Sequence, residues 1–231
     1  MSSLLGRLSL FLFALTFTAG SAFAQRGFSF TPHVYGVGLV VDDVEDGDRE
    51  EGGGLGLRVG LGLSKSVSLY ASLGGARVES QGEVVRVVRD LPDGDLGRFD
   101  DNYTLASGEF GAQFNILPSG VVNPFIRTGF RGQTVVLDAE GRDLDEDPQL
   151  RGGGLTVGGG VEVRLSPKLA IEAALEGTGG TFSEFETDDI RYRNFEDIEF
   201  GEGRVSVGLV WRPNAKSRDR DRRRHRRGNR H

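Results

Sequence analysis

Between residues 54 and 63 the chain reads Gly-Leu-Gly-Leu-Arg-Val-Gly-Leu-Gly-Leu. Leu55, Leu57, Val59, Leu61 and Leu63 alternate with Gly54, Gly56, Arg58, Gly60 and Gly62. A period of two separates two faces only in a strand. The pattern recurs at 67–79, 104–116, 125–136, 154–165, 169–178 and 202–212. In the last of these, Val205, Val207, Leu209 and Trp211 oppose Glu202, Arg204, Ser206, Gly208 and Arg212. A first strand over about 33–41 sets Tyr35, Val37, Leu39 and Val41 against Val34, Gly36, Gly38 and Val40. Pro32 cannot donate to a ladder, so that strand is expected to begin after it. Eight strands are predicted. Short turns, Ser64-Lys65-Ser66, Leu117 to Asn123 and Ser166-Pro167-Lys168, join strands 2–3, 4–5 and 6–7. Long polar loops over about 42–53, 80–102, 137–153 and 179–201 make the other connections.

Short turns on one side and long loops on the other define an up-and-down meander. The N-terminus adds an export signal. Arg7 precedes an apolar core from Leu8 to Thr18, and Ala22-Phe23-Ala24 offers a small-x-small cleavage site before Gln25. The apolar core is too short for a membrane helix of about 20 residues. An exported sheet with one aliphatic face must bury it, and in lipid no strand edge can stay unpaired. Together these features predict an all-β fold: an eight-stranded antiparallel up-and-down transmembrane β-barrel of the outer membrane. Eight strands leave an interior just wide enough for side chains. The soluble alternatives are a lipocalin-like barrel or a sandwich with a wet outer face.

Composition sharpens this picture. The 231 residues include 36 Gly and no Cys. Many glycines fall on the polar faces, where they would leave room in a narrow lumen. Without Cys there is neither a disulfide framework nor a thiolate metal site. The formal net charge of −6 hides a division. Residues 214–231 carry nine basic and two acidic side chains, and residues 25–213 carry 18 basic and 32 acidic ones. The expected organisation is a signal peptide over 1–24, a barrel over 25–213 and a basic, disordered periplasmic tail over 214–231.

Three stretches resemble a known group. Asn123-Pro124-Phe125-Ile126-Arg127 opens a strand after a turn, and Ser166-Pro167-Lys168-Leu169-Ala170-Ile171-Glu172 turns tightly into the next. Val205-Ser206-Val207-Gly208-Leu209-Val210-Trp211 looks like a closing strand. With the signal peptide, they make 25–213 similar to the small eight-stranded outer-membrane barrels of Gram-negative bacteria, the OmpA/OmpX/OmpW and opacity-protein group, a porin-like family. In that group the chain usually ends on an aromatic residue of the last strand, a signal read by the barrel-insertion machinery. Here eighteen residues follow Pro213.

The alternation nominates sites. It points Arg58, Arg127, Arg131, Arg164 and Arg204 into the lumen with Glu109, Glu162, Glu172, Glu176 and Glu202. Confined charge is costly unless paired, so a cross-strand salt-bridge network is expected; a pore lining or gate is the functional version. Trp211 and Phe114 are expected at the membrane interface, as is His33 near the periplasmic rim. The loops are acidic, and Asp42, Asp43, Asp46, Asp48, Asp143, Asp145 and Asp147 are candidate oxygen ligands for a divalent cation. Loop 1 does not keep EF-hand spacing: around Gly47 the third position is Val44 and the twelfth is Gly53. The plainer account is a set of solvated, mutually repelling loops.

The expected function is a structural or surface-interaction role for a monomer in outer-membrane lipid and lipopolysaccharide, with acidic extracellular loops as the recognition surface. The tail suits an anionic cell-envelope polymer; it lacks the interleaved aromatics that stack on bases, so nucleic acid is not expected. The other readings are a narrow channel for small or hydrophobic solutes and a lipid-modifying enzyme. No Gly-x-Ser-x-Gly, HExxH or phosphate loop occurs in the mature chain. Neither catalysis nor a cofactor is expected.

Overall fold

A computed structural model describes residues 27–41, 50–79, 99–139, 148–187 and 190–213. The predicted strands form, and most run further than the alternation suggested. They are β1 (Phe28–Val41), β2 (Glu50–Gly62), β3 (Val67–Glu79), β4 (Phe99–Asn115), β5 (Val122–Ala139), β6 (Gln149–Arg164), β7 (Leu169–Thr187) and β8 (Ile190–Trp211). Each pairs antiparallel with its sequence neighbour, and β8 closes on β1. No sheet edge is left within the cylinder, which satisfies the backbone wherever water is absent.

Pairing also fixes the slant. Cα partners from Phe28 run through Leu61, Leu69, Ala112, Thr128, Val157, Gly177 and Gly203 and return to β1 at Gly38, ten residues along. A stagger of ten over eight strands tilts them by about 40°. Hydroxyls make two of the short turns: Ser64 Oγ accepts from the Ser66 and Val67 amides, and Ser166 Oγ from those of Lys168 and Leu169.

Two expectations are corrected. β1 begins at Phe28, before Pro32. The ladder to β8 pairs Phe30 with Trp211 and His33 with Gly208 but makes no pair at Thr31 or Pro32. The proline is thus accommodated by a local gap at the closing seam, consistent with its missing N–H. The segment 179–201 is not a long loop either. β7 and β8 stay paired up to Thr187 and Ile190, with a register shift between Phe182 and Glu184.

The deeper difference lies in the faces. Near the short turns the barrel is polar inside and apolar outside. Leu55, Leu73, Phe110, Phe130, Leu155, Leu175 and Val205 all point outward and are exposed. This band covers seven or eight residues of each strand, roughly 20 Å at that tilt, which suits a barrel's apolar belt. Toward the loops the sense inverts. Val37, Leu39, Val78, Leu105, Val135, Leu137, Phe182 and Phe200 point inward and form one buried cluster, while Glu51, Arg77 and Glu199 stand exposed outside. Tyr35, Val37 and Leu39 therefore face the lumen, and the lipid-facing positions of β1 are those of Phe28, Val34 and Gly36.

The glycines serve both surfaces. Gly38, Gly75, Gly179, Gly201 and Gly203 face open space, outside the upper edge of the band. Gly111, Gly129 and Gly154 sit inside, where strands crowd. A Cβ on Gly154 would lie 2.3 Å from the Gly179 carbonyl oxygen, and one on Gly111 2.3 Å from that of Thr128. Gly154→Ala should lower the yield of heat-modifiable barrel on refolding into detergent, whereas Gly203→Ala should match the parent. Equal yields would show that the interior is less crowded than described.

Candidate functional site

Strand alternation stacks charges in the membrane-level lumen. Arg127 and Arg131 lie four residues apart on β5, so both face inward with Gly129 between them. Glu172 and Glu176 repeat that spacing on β7, with Ala174 between them. Arg58 on β2, Glu109 on β4, and Glu202 and Arg204 on β8 complete the ring. Each of these eight residues is 6% exposed or less.

The side chains interlock. Arg58 donates from Nη1 to Glu172 at 2.7 Å and from Nη2 to Glu176 at 3.3 Å. Arg127 meets the same two carboxylates at 2.5 and 3.2 Å. Arg131 reaches Glu109 at 2.5 Å, Glu202 at 2.5 Å and Glu176 at 3.0 Å. Arg204 closes the set on Glu202 at 3.0 Å. Four guanidinium groups meet four carboxylates, so the cluster is neutral. That balance is what makes buried charge tolerable: removing one partner leaves the rest uncompensated.

The ten residues predicted for this network divide. Eight meet in the central cluster. Glu162 and Arg164 lie lower, at the short-turn rim, 3.5 Å apart. There Glu162 also receives Arg212, and Arg164 donates to the Pro118 carbonyl at 2.7 Å. Several partners were absent from the prediction. The Tyr70 hydroxyl donates to Glu109 at 2.5 Å. It occupies space left by Gly111 and Gly129, where a Cβ would approach it to 2.8 and 3.0 Å. Gln113 accepts from Arg127 Nε at 2.8 Å. The rings of Tyr35 and Phe125 lie 4.0 and 4.3 Å beneath the guanidinium carbons of Arg204 and Arg127. The available signal was parity: Tyr70 and Gln113 share a strand face with Ser72 and Glu109.

Above the charges the lumen closes a second time. Phe182 and Phe200 pack with ring centroids 4.7 Å apart, among fully buried Leu39, Val78, Leu105 and Val135. Gln133 marks the boundary, and neither its Nε2 nor its Oε1 has a partner among the described residues. Glu50, assigned to a solvated loop, is instead buried at this level and accepts from the Tyr103 hydroxyl at 2.7 Å. Glu184 and Glu186 belong to β7 rather than to a loop.

Trp211 and Phe114 face outward, half-exposed, near the short-turn ends of β8 and β4. Phe30 lies 5.8 Å from Trp211, adding to an aromatic patch at that rim. His33, expected at the interface, instead points into the lumen. It is 6% exposed, with Nδ1 3.1 Å from the Thr31 carbonyl oxygen. The candidate cation ligands Asp42, Asp43, Asp46, Asp48, Asp143, Asp145 and Asp147 lie outside the described residues, as do segments 1–24 and 214–231. Among the described residues no group of three or more metal-binding side chains occurs, and no helix is long and apolar enough to cross a membrane.

Comparison with known proteins agrees with this architecture. The family model described as "Outer membrane protein beta-barrel domain" matches residues 9–212. Among solved structures, Neisserial surface protein A is 14% identical with a TM-score of 0.52, covering 80% of this chain and 97% of that one. OprG from Pseudomonas aeruginosa is 10% identical with a TM-score of 0.46, covering 80% and 95%. Ail, the attachment invasion locus protein of Yersinia pestis, is 15% identical with a TM-score of 0.45, covering 81% and 100%. No curated protein matches the chain. At such identities the likeness is one of fold.

The two ion-pair groups should differ in weight. Arg131 contacts three carboxylates in a side chain 1% exposed, whereas Arg164 is 33% exposed and more than 3 Å from its carboxylate. Arg131→Met should cost about 3–5 kcal/mol in urea unfolding from lipid vesicles. Arg164→Met should cost about 1 kcal/mol or less. Similar losses would mean that the central cluster is not the stabilising unit.

Proposed function

We propose that this chain, which belongs to the outer membrane protein beta-barrel domain family, is a closed barrel whose working surface is its loop-side rim, where it serves a structural or surface-interaction role. The observation that carries this reading is the doubly filled lumen. A solute would meet the neutral Arg/Glu cluster at membrane level and then the apolar storey above it.

Strand length supports the same reading. About 9–11 tilted residues cross a bilayer, yet β5 has 18, β7 19 and β8 22. The surplus lies on the loop side, where it is packed like a soluble barrel. A rigid β-walled collar of that kind holds loops above a membrane and adds nothing to crossing it. In this family's usual arrangement short turns face the periplasm and longer loops face outward. On that orientation the acid-rich segments 42–49 and 140–147 would meet the outside, where divalent cations could bridge them to lipopolysaccharide.

The same proposal treats residues 1–24 as a cleaved export signal and 25–213 as a monomeric barrel delivered by the insertion machinery. Residues 214–231 would be a periplasmic tail directed at an anionic envelope polymer. It assigns no catalysis. The barrel's own histidine, His33, is turned into the lumen, away from the outer rim where a lipid-modifying site would need it.

Planar-bilayer recording tests the reading. The purified full chain should give no steady open conductance under applied voltage. A steady open state would favour the narrow-channel function and remove the argument from the filled lumen.

A further inference from the structure

The short-turn end of the barrel is hollow. A polar cavity of about 270 Å3 opens there, roofed by Arg58, Arg127 and Glu172. Its walls carry more positive than negative side chains. Glu172 is already spanned by Arg58 and Arg127. Glu162 is shared by Arg164 and Arg212. Lys65 adds a further cation from the β2–β3 turn. Excess charge of one sign in a concave, partly dehydrated site concentrates counter-ions. Guanidinium forks match the paired oxygens of carboxylate and phosphate.

One buried donor on this wall lacks a partner: Arg58 is 5% exposed, and its Nε has no acceptor among the described residues. Buried polar groups are ordinarily satisfied, so an orphaned donor on a residue that lines a cavity points to a ligand or ordered water nearby. Ser68, Gln113 and Asn115 line the same space.

We propose that this vestibule binds a small oxyanion, a phosphate or carboxylate, held by Arg58 at the roof and by Arg164 and Arg212 at the rim. The oxyanion has two possible sources, a free solute or the headgroup of a lipid in the adjoining leaflet. The site stands independently of the role proposed for the opposite rim.

The test uses the full chain refolded in a neutral maltoside detergent without phosphate. Inorganic phosphate is titrated while the arginine Nε–H signals are followed by nitrogen-15 NMR. A second arm adds phosphatidylglycerol to the micelles and no free phosphate. Saturable shifts at Arg58 and Arg212 are expected. Saturation with inorganic phosphate identifies a solute site, and saturation with the lipid alone a headgroup site. Arg212→Gln should weaken binding about tenfold, the loss of one charge-assisted contact. Lys65→Gln, which changes an exposed side chain of the β2–β3 turn, should weaken it several-fold. Arg151→Gln, at the opposite rim, should leave it unchanged. The proposal is overturned if neither arm saturates, if shifts are confined to the arginines of 214–231, or if Lys65→Gln and Arg151→Gln bind alike.

Discussion

Four guanidinium groups and four carboxylates share one narrow interior, and none could remain charged there alone. Everything else at membrane level follows from keeping them together. Lipid outside requires an apolar outer face, and alternation then turns the intervening residues inward. Closure confines them, so whatever points inward must be neutral as a set. Arg131 shows how far this goes: its fork serves carboxylates from β4, β7 and β8 at once. Tyr70 and Gln113 take up oxygen and nitrogen positions that the ion pairs leave open. Glycine facing glycine, as at Gly111 and Gly129, gives the long side chains their room.

Past the lipid the constraint reverses. Water outside favours polar outward residues, and the same closed sheet then buries its apolar side chains within. The barrel is thus inverted at membrane level and soluble-like above it. Gln133 sits where the two regimes meet, and outward glycines such as Gly38, Gly179 and Gly203 lie along the transition. The polar storey and the apolar storey fill the lumen by different physics, and both oppose a continuous water path.

Much of this was legible in the residues. Period-two alternation located the strands, the short turns set their order, and charge on the non-aliphatic face put ten named residues inside. The apolar storey was missed because each strand was assigned one apolar face throughout. In fact the parity switches. In β5 the outward apolar positions are Ile126 and Phe130, and the inward ones are Val135 and Leu137. In β8 Val205 and Val207 point out while Ile198 and Phe200 point in. β1 misled most, because its apolar run, Tyr35 to Leu39, belongs mainly to the upper storey. Loop boundaries failed for the same reason: acidic outward residues such as Glu199 look like loop when half of their strand is soluble-like. Which charges would pair could not be read from spacing, because partners on β2, β5 and β7 meet only through closure.

The central claim is that two different fillings seal the lumen above a vestibule open at the short-turn end. The chain has no cysteine, so one introduced thiol reports its own site. Ser68→Cys lines the vestibule and Ala76→Cys lies in the apolar storey. Both would be reconstituted in vesicles and exposed to a membrane-impermeant thiol reagent from each side. The account predicts rapid labelling at position 68 from the short-turn side and none at position 76 from either side. Comparable labelling at both positions would contradict it.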